Sequence, residues 1–290
     1  MATLAITPIS AATTENRRLN KLLVAHDFSI AANHALADAM AISRRFSSEV
    51  VIARVRSSEA STYEIQGSEK DNRYATSRFS VDIPGRPCRE IVRSGSVAQT
   101  LFDIGREENP DLLLLGAYGH GSKDRPTLGS TAELLLRSIS CPVVTYGPNV
   151  TNPLFDDKRP MSILVPIELP CAFRYLAFAV SMAKLFQAKL EVLHVVDMDR
   201  APSMPHAFQD MQYACEEIAL HLRESGVKVS GSLLFGKPSS AIISRCLELH
   251  SSFIMMPLET RGRLSSADSD NVAAGVIRNA EVPVMTYRLA

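Results

Sequence analysis

Short apolar runs alternate with longer amphipathic stretches along most of the chain, and the alternation is clearest in the second half. There SILVPI, starting at Ser162, is a compact run of apolar and β-branched residues that reads as a buried strand. Cys171 to Gln187 reads as a strongly apolar helix and LEVLHVV as the next strand. His206 to Ser225 follows as a helix closed by Gly226, where a left-handed cap is needed. VKVSGSLLF, a helix from Ser239 to His250, FIMMPL, a short helix from Asn271 to Asn279 and VPVMTY complete the series. Strands separated by helices of this length call for a parallel sheet covered by helices on both faces. With right-handed crossovers, the expected class is α/β, a doubly wound, flavodoxin-like parallel sheet of five strands.

The first half carries the same series. Lys21-LLVAHDF resembles Ser162-ILVPIEL, a shift of about 141 residues. Phe46 followed by SSEVVIARV matches Phe186 followed by QAKLEVLHV, and Gly95 matches Gly236. LGAYGHGSKDRPTLGSTAELLLRSISCPVVTY aligns without a gap on MPLETRGRLSSADSDNVAAGVIRNAEVPVMTY. The chain is therefore read as a duplication: an arm over 1–20, a first domain over 21–147, a linker over 148–160 and a second domain over 161–290. Between Ser57 and Cys88 the first copy breaks the pattern with Pro84, Gly85 and Pro87, so its second helix is expected to be short, displaced or mobile.

Composition narrows the function classes. The 290 residues suffice for two cores, and 46% apolar with 21% charged residues describes a globular chain. Thirty-one Lys plus Arg balance 31 Asp plus Glu, so the basic surplus of a nucleic-acid binder is missing; Arg86, Arg89 and Arg93 read as a solvated strand edge. Cys88, Cys141, Cys171, Cys215 and Cys246 are odd in number and form no CxxC pair, which favours small buried thiols over a disulfide scaffold or zinc ribbon. No apolar run is long enough to span a membrane, and the first twenty residues do not read as a signal peptide, so a cytoplasmic location is expected.

One loop carries chemistry. After the apolar DLLLLG come Gly116, Gly119, then Gly129 and Ser130, where a helix begins. In a doubly wound sheet ligands sit outside the carboxyl ends of the strands, at the switch in strand order. A loop there presents backbone amides to an anion, the helix N-terminus adds partial positive charge, and glycines let the backbone approach phosphate oxygens. Spacing alone leaves open a loop whose glycines merely permit turns.

Gly116-x-x-Gly119-(nine residues)-Gly129-Ser130, followed by a helix and Cys-Pro-Val-Val, resembles the ATP-binding signature of the universal stress protein family. LLVAHDFS before an alanine-rich helix resembles that family's first strand and acidic turn. The resemblance covers both copies and implies an adenine nucleotide alpha hydrolase-like fold, with ATP, AMP or ADP as ligand and magnesium as an optional companion. It implies that Asp27 sits near the ribose, that Ala25 and Val55 flank the adenine, and that Gly116, Gly119, Gly129, Ser130 and Thr131 hold the phosphates. A turn or helix-cap role for Asp27 remains the alternative. The resemblance also implies pairing of the final strands, PVVTY with PVMTY, as an intrachain pseudo-dimer; a further homodimer stays open.

The second copy has Pro257, Thr260, Asp270 and Asn271 at the loop positions and Glu168 in place of Asp27. A carboxylate at Asp270 would repel phosphate, so this copy is expected not to bind a triphosphate in the family manner. No HExxH, GxSxG or GxxxxGK[ST] motif occurs, and no catalytic residue or metal ligand is assigned. His26 and His120 lie at the pocket edge and in the loop, where exposure or a structural hydrogen bond is the plainer reading; His194 with Glu168 and Cys171 is a weak metal constellation. Three functions remain: a nucleotide-binding regulatory or stress-response protein with little or no turnover, an ATP-hydrolysing enzyme kept open by Lys123 and Arg125, and an interaction scaffold with idle pockets.

Overall fold

The computed structural model of the chain describes residues 18–56, 88–118, 128–151, 154, 160–169, 173–199, 205–258 and 271–288. The first repeat contains β1 (Lys21–Ala25), α1 (Ile30–Phe46), β2 (Glu49–Arg56), β3 (Cys88–Ser94), α2 (Val97–Glu108), β4 (Leu112–Gly116), α3 (Ser130–Ser138) and β5 (Val143–Tyr146). The second contains β6 (Ser162–Ile167), α4 (Phe173–Phe186), β7 (Lys189–Val196), α5 (Pro205–Arg223), β8 (Val229–Phe235), α6 (Pro238–Glu248), β9 (Phe253–Pro257), α7 (Val272–Asn279) and β10 (Val284–Tyr287). Residues 1–17 of the arm and 57–87, where the second helix of the first copy was expected to be short, displaced or mobile, lie outside the described residues.

All ten strands join one sheet in the order β3-β2-β1-β4-β5-β10-β9-β6-β7-β8. Pairs within a repeat are parallel, and the repeats meet where β5 and β10 run antiparallel, Val144 opposite Met285. Thr145 Oγ1 donates to the Val284 carbonyl at 3.0 Å, and Thr286 Oγ1 to that of Val143 at 3.4 Å. The expected intrachain pairing of the final strands is thus present. Each repeat is a doubly wound five-stranded sheet, and its strand order reverses between β1 and β4, or between β6 and β9.

The period-two alternation of side chains divides the core between the two faces of the sheet. Leu22, Val24, Ile52, Leu114 and Val144 face α1, and Ile163, Val165 and Met285 join Phe178 and Phe186 of α4 in the same cluster. Leu23, Val51, Leu113 and Leu115 pack with Ile104 and Leu135, as Ile254 does with Ile277, on the opposite face. Gly95 (φ +146) and Gly236 (φ +131) occupy equivalent turns, and their N–H groups donate to Arg56 and Val196 carbonyls at 3.0 Å. Gly226, with φ +87, closes α5 as its position predicted.

The repeats differ in what their outer strands carry at one equivalent position. In the second repeat α5 lies so close to β8 that a Cβ on Gly231 would sit 2.2 Å from the Cys215 carbonyl oxygen. At that sheet position the first repeat carries Glu90, paired with Arg54 at 2.7 Å. Beyond the sheet, the Phe46 ring of α1 meets that of Phe186 in α4 at 5.7 Å and Gly147 presses against the Ile277 carbonyl, while fully buried Leu154 of the linker donates its N–H to Asp38 Oδ2 of α1 at 3.0 Å.

Candidate functional site

The crevice between β1 and β4 opens at the carboxyl ends of the first repeat's strands. Ala25 ends β1 and Val55 lies near the end of β2, and both belong to the apolar cluster on the α2–α3 face with Ala53, Leu115, Ala117, Leu128 and Ala132. Gly116 ends β4, Gly129 precedes α3, and Ser130 and Thr131 form its first turn. These residues therefore gather around one apolar floor at one end of the sheet. Asp27 sits exposed in the turn between β1 and α1, where its Oδ1 accepts the Ser29 N–H at 3.0 Å. The turn role is thus one the carboxylate does have. Gly119, His120, Lys123 and Arg125 lie outside the described residues, as do Cys171, Thr260 and Asp270.

The two described glycines act through closeness. Gly129 has φ −60, and among the described glycines positive φ is confined to Gly95, Gly226 and Gly236. A Cβ on Gly116 would lie 3.0 Å from the Ala31 Cβ, and one on Gly129 would lie 3.1 Å from the Ala117 carbonyl oxygen. Gly116 thus lets the start of α1 close over the end of β4. The Gly129 N–H donates to Ala117 at 3.0 Å, pinning the far end of the loop beside its beginning. The Gly129 N–H is thereby engaged, and the amides of α3 without an intrahelical acceptor are those after it.

The two equivalent helix starts differ in capping. α3 begins after Gly129 with no side-chain cap, and Ser130, Thr131 and Ala132 occupy the turn whose amides have no intrahelical acceptor. α7 begins one position later, because the Asn271 side chain is its cap and accepts the Ala274 N–H at 3.1 Å. Asn271 occupies the place of Ser130, so the second repeat caps with its own side chain a helix start that has no side-chain cap in the first.

On the α1 face of the same edge lies His26, placed at the pocket edge by the sequence, and it has the structural hydrogen bond that was the plainer reading there. His26 is buried, its Nε2 3.1 Å from Asn33 Oδ1, and its ring meets Phe28 edge-on at 5.2 Å. Burial pulls its pKa below the ordinary histidine value, against the opposing effect of Asn33. Phe28, a non-glycine residue at φ +65, lies under the Arg54 guanidinium, 4.5 Å from its ring centre. The loop residue Tyr118 is also buried, its hydroxyl pKa raised by burial and opposed by the charge of Arg278 in the second repeat. No motif announces these contacts; the signal available was an aromatic side chain immediately after the acidic residue of the turn.

The remaining candidates have structural partners. Arg89 pairs with Glu49 at 2.8 Å and also with Glu108, and Arg93 pairs with Glu107, so carboxylates line the arginine edge of β3. His194 is buried with Nδ1 3.0 Å from the Ile167 carbonyl oxygen. Among the described residues, no three His, Cys, Asp or Glu side chains gather where they could hold a metal ion. Cys215 and Cys246 are buried, and burial pushes their thiols up to about 11 and about 12. No described helix is long and apolar enough to cross a membrane.

The fold recurs in solved structures. A universal stress protein from Archaeoglobus fulgidus DSM 4304 superposes with a TM-score of 0.66 at 19% identity, covering 93% of this chain and 97% of that one. A protein of unknown function from Pseudomonas aeruginosa PAO1 gives 0.62 at 16% identity, covering 96% and 95%. The cytoplasmic domain of a prokaryotic cation chloride cotransporter gives 0.51 at 12% identity, covering 93% and 95%. A comparison with curated proteins returns no match. The Universal stress protein family model matches the sequence twice, over residues 18–146 and 161–288. With both repeats matched over nearly their whole length, the chain belongs to the universal stress protein family, as a tandem member.

Proposed function

We propose that the first repeat binds an adenine nucleotide in the β1–β4 crevice and that the protein is a nucleotide-binding stress-response regulator with little or no turnover. In this reading Ala25 and Val55 flank the base, Asp27 faces the ribose, and the start of α3 at Ser130 and Thr131 holds phosphate, with Gly116, Gly119 and Gly129 giving the backbone its close approach. The observation that carries it is the contrast between helix starts: α3 opens on Gly129 without a side-chain cap, whereas α7 is capped by Asn271. An uncapped helix N-terminus beside an apolar floor suits an anion attached to a flat ring. The second repeat serves as the other half of the continuous sheet.

Isothermal titration with ATP followed by a phosphate-release assay tests this function. Saturable binding without release is expected. Release would make the protein an ATP-hydrolysing enzyme, and the absence of binding would leave the scaffold reading.

A further inference from the structure

The turn between β1 and α1 is held in a conformation that its sequence does not favour. Phe28 occupies the left-handed region at φ +65, where a Cβ is disfavoured, yet it is 37% exposed and so is not fixed by deep burial. What surrounds it supplies the restraint. The Arg54 guanidinium covers its ring at 4.5 Å, and His26 meets that ring edge-on at 5.2 Å. Arg54 is fixed in turn by Glu90 of β3 at 2.7 Å, and His26 by Asn33 of α1 at 3.1 Å and by its backbone N–H to Ala53 at 3.0 Å. The preceding residue, Asp27, is held through Ser29, whose N–H it accepts and whose Oγ accepts the Ala32 N–H at 3.1 Å as the α1 cap. Elements from β1, β2, β3 and α1 therefore converge on one strained turn that carries a single carboxylate to the crevice.

We infer that Arg54 and Phe28 are positioning residues for ribose recognition: their stack, anchored by Glu90, holds the turn that presents Asp27 to the sugar hydroxyls of the bound nucleotide. This rests on the proposed nucleotide site. A carboxylate at the carboxyl edge of a doubly wound sheet suits a vicinal diol, which offers it two donors. A carboxylate held in place loses little freedom on binding, whereas one on a relaxed turn must be ordered first. The stack lies on the α1 face, opposite the apolar floor formed by Ala25 and Val55, so losing it should leave base and phosphate contacts in place.

The test compares the affinities of ATP and 2′,3′-dideoxy-ATP for the full chain by isothermal titration. The wild type should prefer ATP about tenfold, the ratio expected for hydrogen bonds to a charged acceptor. Arg54→Met and Phe28→Gly should each reduce the preference to within about twofold by weakening ATP alone, with dideoxy-ATP affinity nearly unchanged, whereas Arg54→Lys, which keeps the cation, should retain most of it. Glycine adopts the left-handed turn without strain, so Phe28→Gly tests the ring independently of folding. A preference that survives both substitutions overturns the inference, as does an equal loss for both ligands or the absence of any preference in the wild type that binds ATP. A wild type that binds neither nucleotide overturns the nucleotide site itself, and the positioning role with it.

Discussion

The Tyr146 hydroxyl donates to Asp38 Oδ2 at 2.9 Å, joining the last strand of the first repeat to the middle of α1. The same oxygen accepts the Leu154 N–H, so one buried carboxylate holds the chain as it passes from one repeat to the next. Burial is the largest influence on Asp38 and raises its pKa from 3.8 to about 6, although both hydrogen bonds and His34 oppose the rise. Between those values the folded protein holds more protons than the unfolded chain, so this group's contribution to stability falls as pH rises from about 4 to about 6. Asp38→Asn removes that dependence. The difference in unfolding free energy between the variant and the wild type should shift in the variant's favour by about 2 kcal/mol from pH 4 to pH 8, measured by chemical denaturation. A difference that stays flat with pH would contradict this account.

Buried Glu191 and half-buried Arg245 form a pair that the first repeat lacks. Burial alone would raise the Glu191 pKa, but hydrogen bonds from Ser230, Arg245 and Ser232 outweigh it and hold the carboxyl below its ordinary value. Its contribution is therefore present at neutral pH and lost on acidification through the carboxylate range. By register Val51 is its counterpart, and Ile104 stands after Gly95 as Arg245 stands after Gly236. Glu191→Val alone should cost about 1–2 kcal/mol, because Arg245 keeps only its exposed partner Glu248 and Ser230 and Ser232 lose their acceptor, whereas Glu191→Val with Arg245→Ile should recover part of that loss. Equal losses in the single and double variants, by urea denaturation, would show that the pair is not the cause.

Gly147 tests the junction. A Cβ there would lie 2.1 Å from the Ile277 carbonyl oxygen, a backbone atom that cannot swing aside. Gly147→Ala should destabilise the protein by about 1–3 kcal/mol and separate the unfolding of the two repeats in calorimetry. A single transition at the wild-type temperature would show that the junction yields without cost.

Gly129→Asp would give α3 the residue that the second repeat carries at this place. A carboxylate beside phosphate should weaken ATP about 30-fold, a loss of roughly 2 kcal/mol. Gly129→Asn, of similar volume but neutral, should lose much less. Titration with ATP separates the two effects, and equal losses would assign the result to crowding against Ala117 rather than to charge.

Much of the fold was legible because burial writes itself into local spacing. Strands such as β4 and β6 are covered on both faces, and their apolar runs are unbroken. α5 and its Gly226 close were readable from amphipathic period and cap chemistry together. The glycine loop was legible as a motif, but the need for Gly116 and Gly129 was not. Turns with positive φ are a local property, whereas the contacts of Gly116 with Ala31 and of Gly147 with Ile277 join distant segments.

From its sequence alone the chain declares two copies of one α/β unit, the alternation that builds each, and the loss of glycines from the second loop, because these depend on residue type at short range. Tertiary structure alone decides that Val144 stands opposite Met285 where the copies join, that Arg54 stacks on a strained Phe28, and that Asn271 closes a helix start left uncapped at Gly129. Those outcomes depend on which side chains meet across long stretches of chain, and no periodicity records such meetings.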